Sequence, residues 1–219
     1  AILAILKAGK CIVTINPTYP HKRVEYICDS MNIDIVFICK NNINLTDKFK
    51  RNIILVDESV LSTKNVINKD KFEIFNCIKD NIDSPCYIIF TSGTTGEPKG
   101  IQISHRSIMI ELEWLKKYFK YDSEIKSLHI LNYSFDFGLY DIFINLYCGG
   151  CLCSIDKNKM KNFTEYVNFI LKHKINNINT TPSFFNILAS FNTKLKDIKY
   201  VHLGGEKVTY PMISRYNRI

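Results

Sequence analysis

Short apolar runs alternate with stretches of helical period along almost the whole chain, and few folds accommodate that alternation. The runs are CIVTI at 11–15, DIVFI at 34–38, IILV at 53–56, YIIF at 87–90, IQI at 101–103, SLHIL at 127–131, CLCSI at 151–155, NINT at 177–180 and YVHL at 200–203. Each is strand-length and most are rich in β-branched residues. Between them, residues 1–8 read as the last turns of a helix closed by Gly9. Val24, Ile27, Cys28 and Met31 keep helical spacing over 21–31, with Pro20 near the first turn. Ser104 is placed to cap a helix that carries Ile108, Leu112, Leu115 and Phe119 on one side. Further helical patterns cover 139–147, 163–173 and 184–191. Hairpin signals are few, Gly149-Gly150 being the nearest. The pattern predicts an α/β fold with largely parallel sheets flanked by helices. In such sheets ligands sit beyond the carboxyl ends of the strands. Residues 57–84 are polar, poorly periodic and read as a variable surface connection, with one short element near 72–78.

Composition removes several alternatives. The 219 residues allow one large domain or two small ones, and no apolar run reaches the 18 residues of a membrane-spanning helix. The net charge is +8, yet the basic residues are scattered, so they read as solvated faces and no nucleic-acid partner is expected. The chain has eight cysteines. Cys151 and Cys153 lie in an apolar run whose alternate residues face one way, and reduced thiols packed in a core are expected there. That suits a reducing compartment, the cytoplasm. The chain opens in mid-helix pattern without Met and closes without a stop signal, so it reads as an interior piece of a longer protein.

One stretch does not fit a plain turn. After the strand-like YIIF come Thr91, Ser92, Gly93, Thr94, Thr95, Gly96, Glu97, Pro98, Lys99 and Gly100. Three glycines let backbone N–H groups approach an anion, four hydroxyls add donors, and Lys99 adds a mobile charge. Together they form a phosphate cradle. It is not a Walker A loop, because Lys99 stands between Pro98 and Gly100 and runs into a strand-like segment. A dinucleotide fingerprint is excluded too, since G-x-G-x-x-G is absent.

The stretch TSGTTGEPKG resembles the phosphate loop of the adenylate-forming, AMP-binding superfamily. ILKAGKCIVTINPTYPHKRVEYICDS at 5–30 resembles a core motif of amino-acid adenylation domains of nonribosomal peptide synthetases, with Thr14 and Asn16 where Pro and Asp are usual. SFDFGLYDIF at 134–143 resembles their F-D-x-S motif, with Gly138 in the serine position. LGGE at 203–206 resembles the segment bordering the adenine pocket. Order and spacing match over nearly all of 1–219. The resemblance implies a partial AMP-binding domain, truncated at both ends, from the large N-terminal subdomain of such an enzyme.

The resemblance further implies a set of roles. Thr91, Ser92, Gly93, Thr94, Thr95, Gly96, Lys99 and Gly100 would hold the ATP phosphates, with Lys99, Thr94 and Thr95 acting in catalysis. Gly204, Gly205 and Glu206 would border adenine. Asp136, Phe137, Tyr140, Ser183, His202 and Gly204 would line the substrate site. Asp136, flanked by Phe135, Phe137 and Leu139, would there pair with the substrate's α-ammonium, since a carboxylate in an apolar setting is costly alone. From the residues themselves Asp136 reads equally as a cap for the helix beginning near Leu139, and Phe137 and Tyr140 as core aromatics.

The implied reaction is activation of an amino acid by ATP as aminoacyl-AMP, followed by thioester loading onto the phosphopantetheine of a peptidyl or acyl carrier protein. Mg²⁺ is implied as well, without a protein ligand inside this segment. Two alternatives stay open: a related carrier-protein or CoA ligase, of which D-alanine–carrier protein ligases are an example, and an inactive nucleotide-binding piece.

Overall fold

The computed structural model describes residues 1–39, 49, 51–56, 81–92, 97–155, 163–190, 195–210 and 212. Most of the polar connection at 57–84, including the element expected at 72–78, lies outside them, as do residues 93–96 of the glycine loop. The chain divides into two compact units, Ala1–Ile108 and Met109–Ile219.

The first unit opens with helix α1 (Ile2–Lys7), followed by strand β1 (Ile12–Val13), α2 (His21–Ser30), β2 (Ile35–Cys39), β3 (Asn52–Val56), β4 (Pro85–Thr91) and β5 (Lys99–Ser104). α1 ends as expected. Gly9 takes φ +64°, its N–H reaches Leu6 O, and the next N–H, from Lys10, reaches Ile5 O. This double closure satisfies carbonyls the helix would otherwise leave bare. α2 buries Val24, Ile27 and Cys28, the face its spacing indicates. β2 and β3 pair in parallel. β4 pairs in parallel with β1 but antiparallel with β5, so the sheet order is β1-β4-β5. The glycine loop therefore joins the arms of a hairpin. Its hydroxyl-rich sequence carries none of the two-residue turn signatures by which hairpins are recognised. It still begins where β4 reaches its carboxyl end.

Ser104 starts α3 (His105–Phe119): its Oγ accepts the Ser107 N–H at 3.2 Å. The division between the units falls within this helix. The second unit then continues as β6 (Lys126–His129), α4 (Asp136–Cys148), β7 (Cys151–Ser154), α5 (Phe163–His173), β8 (Asn177–Thr180), α6 (Pro182–Ala189) and β9 (Tyr200–Leu203). Its four strands are all parallel, in the order β7-β6-β8-β9. Gly149-Gly150 is no hairpin turn. Gly149, at φ +76°, closes α4, and Gly150 leads into β7, where a Cβ would stand 2.3 Å from the Ile125 side chain. α4 starts at Asp136 rather than near Leu139, and α6 starts at Pro182, with Thr181 Oγ1 accepting the Phe184 N–H. A proline in the first turn donates nothing and is tolerated there.

The two faces of this sheet differ in chemistry. Register places Cys153, Leu128, Ile178 and Val201 in one row across β7, β6, β8 and β9. They pack with Tyr166, Val167 and Ile170 of α5 and Phe185 and Leu188 of α6. Leu128, Ile178 and Leu188 are wholly buried, and each contributes about 1.5–3 kcal/mol by leaving water. The opposite face carries Ser127, His129, Asn177, Asn179, Tyr200 and His202. Ser127, Asn177 and Asn179 are also wholly buried. Hydrogen bonds offset much of their burial, although Asn179 Oδ1 has no partner among the described residues.

The cysteines divide in the same way. Cys28, Cys86, Cys148 and Cys153 are buried, and burial pushes the thiols of Cys86 and Cys153 up to about 11. Cys39 and Cys151 are exposed, which departs from the core packing expected of Cys151. The Cys151 and Cys153 sulfurs lie 3.7 Å apart on the same strand.

Candidate active site

The residues that the resemblance implies for phosphate binding lie in the first unit. β4 is buried along most of its length and delivers Thr91 and Ser92 to an exposed end. Antiparallel register sets Lys99 directly opposite Thr91. Hydroxyl and ammonium thus stand side by side at the mouth of the loop, both exposed. Gly93, Thr94, Thr95 and Gly96 lie outside the described residues. Gly100 is within β5 and is not among the glycines of positive φ. A Cβ there would sit 3.2 Å from the Ile88 and Phe90 side chains. Its glycine thus leaves room for Phe90, a packing reason that stands beside the anion approach implied for it.

The residues that the resemblance implies for the substrate lie in the second unit. α4 lies over the polar face of the sheet, held by a buried carboxylate. Asp141 Oδ2 is 2.9 Å from His129 Nδ1, and Asp141 Oδ1 accepts from Asn179 Nδ2 at 2.8 Å. Burial pushes the Asp141 carboxyl up, and the bonds from His129 and Asn179 counter that in part. With α4 fixed this way, its first turns present Phe137 and Tyr140. The two rings stack at 5.8 Å. Phe137 also covers Gly204, where a Cβ would meet the Phe137 ring at 3.2 Å. Gly204 and His202 are two apart at the end of β9 and so face the same way. Four of the residues implied for the substrate site, Phe137, Tyr140, His202 and Gly204, are therefore brought together. Tyr140 is buried, His202 half-buried.

Asp136 stands at the edge of this group. It is exposed, not in the apolar setting its neighbours suggest, because Phe135 is exposed too. Its Oδ1 accepts the Phe137 N–H at 2.7 Å. A carboxylate in the first helical turn is favourable on its own account, so the capping role is present in the structure. The other carboxylate oxygen has no bond within the protein among the described residues. Glu111 of α3 was not indicated by the sequence reading. Burial and the nearby Asp136 charge both raise its carboxyl. Glu111 itself is exposed, and no sequence signal pointed to it.

Ser183 and Glu206 form a separate pair. Glu206 Oε2 accepts the Ser183 N–H at 3.0 Å and also the Ser183 hydroxyl. These bonds hold the Glu206 carboxyl below its ordinary range. Ser183 thus spends its hydroxyl on Glu206, and Glu206 satisfies the start of α6. Gly205 takes φ +82°, the left-handed turn that glycine favours.

His202 is gripped by aromatic neighbours. The Tyr121 hydroxyl lies 2.5 Å from its Nε2, and Phe119 meets its ring edge-on at 4.7 Å. Burial lowers the His202 pKa below its ordinary value near 6.5. In the unfolded chain this ring takes a proton as pH falls through about 6.5, while the folded ring resists. Stability should therefore decline as pH drops below about 6.5 and level off once the folded ring is protonated too. Denaturant midpoints between pH 5 and 8 test this. His202→Gln should flatten the trend, and an unchanged slope would remove His202 as its source.

Among the described residues no group of three His, Cys, Asp or Glu could hold a metal ion, and no helix is long and apolar enough to cross a membrane.

The family model for AMP-binding enzymes matches residues 1–219. Bacitracin synthase 3 of Bacillus licheniformis is 30% identical over 216 residues, which are 98% of this chain and 3% of that protein. Tyrocidine synthase 3 of Brevibacillus parabrevis is 28% identical over 217 residues, again 98% of this chain and 3% of the relative. The chain thus spans a small fraction of these synthases. Among solved structures, the nonribosomal peptide synthetase FmoA3 superposes with a TM-score of 0.83 at 18% identity, covering 99% of this chain and 23% of that one. A four-domain nonribosomal peptide synthetase, holo-AB3403 bound to AMP and glycine, superposes at 0.75 with 20% identity, covering 98% and 15%. The glycine-loop sequence, the α/β fold and the match along the whole sequence have one explanation: this chain belongs to the AMP-binding enzyme family, the adenylate-forming ligases.

Proposed function

We propose that the chain is part of an amino-acid adenylation domain of a nonribosomal peptide synthetase working in the cytoplasm. The observation that carries this reading is the gathering of Phe137, Tyr140, His202 and Gly204 beside the exposed carboxylate of Asp136. Asp136 would hold the substrate's α-ammonium, leaving the substrate carboxylate to react. A carboxylate oxygen attacks the α-phosphorus of ATP, the bond to the bridging oxygen breaks, and pyrophosphate leaves. Charge accumulates on the phosphoryl oxygens, so fixed donors and cations lower the barrier. Lys99 and the hydroxyls of Thr91, Ser92, Thr94 and Thr95 are the groups suited to that task. Gly204, Gly205 and Glu206 would border adenine. Mg²⁺, which this chemistry ordinarily uses, finds no ligand cluster among the described residues. The thiol of a carrier protein's phosphopantetheine would then displace AMP to give the thioester.

The Phe137 ring over Gly204 leaves a short space, which favours a small polar amino acid such as Ser or Thr over Leu, Phe or Trp. Ser183, held by Glu206, adds less to recognition than its hydroxyl alone suggests.

The test is amino-acid-dependent pyrophosphate exchange by the full-length protein against an amino-acid panel. Exchange led by Ser or Thr is expected. Preference for a large apolar or aromatic amino acid would sink the short-pocket reading, and exchange with no amino acid would favour an inactive nucleotide-binding role. Lys99→Ala should slow exchange by about 1.5–3 kcal/mol of lost charge-assisted bonding, with amino-acid binding little changed. An unaltered rate would remove Lys99 from the mechanism.

A further inference from the structure

Residues 148–153 read C-G-G-C-L-C, a C-x-x-C between Cys148 and Cys151 that overlaps a C-x-C between Cys151 and Cys153. The first spacing is the one by which thiol pairs for metals or redox chemistry are usually found. The fold does not gather that pair. Cys148 is the last residue of α4, which lies over the polar face of the sheet. Its thiol is buried, close enough to Tyr121 and Tyr140 to act on both phenols. Gly149 and Gly150 then carry the chain into β7. Cys151 and Cys153, two apart on that strand, project together from the opposite face. There Cys153 joins the apolar core. The two sulfurs are 3.7 Å apart.

This separation suits one kind of bridge and not another. Alternate Cα atoms of a strand lie about 6.6 Å apart. That is near the limit a disulfide spans, and a disulfide would draw the sulfurs in to about 2.05 Å. Two thiolates on one tetrahedral zinc ion, each at about 2.3 Å, stand about 3.8 Å from each other. The pair therefore has the spacing of a metal chelate with the strand left as it is. We infer that Cys151 and Cys153 form a two-thiolate site for a thiophilic divalent cation of tetrahedral preference, zinc or cadmium. Cys151 is exposed and β7 is the edge strand of its sheet, so the ion has a path from solvent. Binding releases both thiol protons to solvent and gives a neutral metal dithiolate, with water in the remaining positions. Burial holds the proton on Cys153, so uptake should strengthen as pH rises. His202 of β9 lies at the other edge of the sheet, which keeps this site apart from the proposed substrate residues.

The test is iodoacetamide labelling of the full-length protein, kept reduced by a phosphine, with and without zinc chloride. Labelling is read at each cysteine by peptide mass spectrometry. Zinc should slow the labelling of Cys151, about tenfold once it stands at about ten times its dissociation constant. Cys39, also exposed, is the control and should be unaffected. Cys153→Ala should abolish the protection, and Cys148→Ala should leave it intact. Cys151→Ser alters only an exposed position and covers failure of the core variant to fold. At saturating cadmium it should lose ultraviolet cadmium–thiolate absorbance relative to the wild-type protein. No slowing by zinc, equal slowing at Cys39, protection that outlasts Cys153→Ala, or unchanged absorbance in Cys151→Ser overturns the site. Protection lost in folded Cys148→Ala would transfer it to the C-x-x-C and overturn the assignment to Cys151 and Cys153.

Discussion

Replacing Gly138 with alanine should destabilise the protein by about 3 kcal/mol or more. A Cβ at this position would lie 2.3 Å from the carbonyl oxygen of Asn132, 2.6 Å from its carbon and 2.9 Å from the Tyr133 nitrogen. These are backbone atoms, so no rotamer change can clear them. The loop ahead of α4 would have to retreat. It is itself tied down: the Ser134 N–H donates to Asn132 Oδ1 at 2.9 Å, and the Phe135 N–H to Asn132 O at 3.0 Å. Serine, usual at this place in the family motif that 134–143 resembles, should fare no better here. Gly100→Ala is the matched control, because its Cβ would meet only movable side chains at 3.2 Å. Denaturant unfolding of both variants decides the matter. A Gly138→Ala protein within about 1 kcal/mol of wild type would show that the approach of helix and loop is not as close as described.

Asp136→Ala should reduce amino-acid-dependent exchange by about tenfold to a hundredfold, the scale of losing a charge-assisted hydrogen bond to the substrate's ammonium. ATP binding should be nearly unaffected, since the carboxylate takes no part in the phosphate loop. Part of its role is structural, because Oδ1 caps the Phe137 N–H. Asp136→Asn retains an oxygen for that bond and removes the charge, so it isolates the electrostatic contribution. Equal loss of ATP and amino-acid binding in both variants, or full activity in Asp136→Asn, would reduce Asp136 to a helix cap.

How far the sequence discloses this molecule depends on how local each feature is. β8 and β9 occupy the runs NINT and YVHL, and α5 fills 163–173, because periodicity is a property of neighbouring residues. The hairpin of β4 and β5 was not visible. Strand direction is decided by pairing, and the loop between them is built for something other than a tight turn. The polar face of the second sheet was hidden for the same reason. NINT reads as a strand, but only register with Ser127 and His202 shows that its two asparagines lie in a buried polar row. The residues proposed for the substrate were indicated only through resemblance. Tyr121 and Glu111 were not, since each reaches the site from α3 or its end, far away in sequence.

The contact between Phe137 and Gly204 bears on how such a site could change its preference over evolutionary time. With the start of α4 locked against the preceding loop, the helix cannot slide to make room. Any side chain added at 204 must therefore be matched by a smaller one at 137, and a smaller one at 137 alone would open an unfilled void. The two positions form a coupled pair in which neither single step is neutral but the double exchange restores the fit. Descendants of this sequence that accept a longer substrate would be expected to carry both changes or neither.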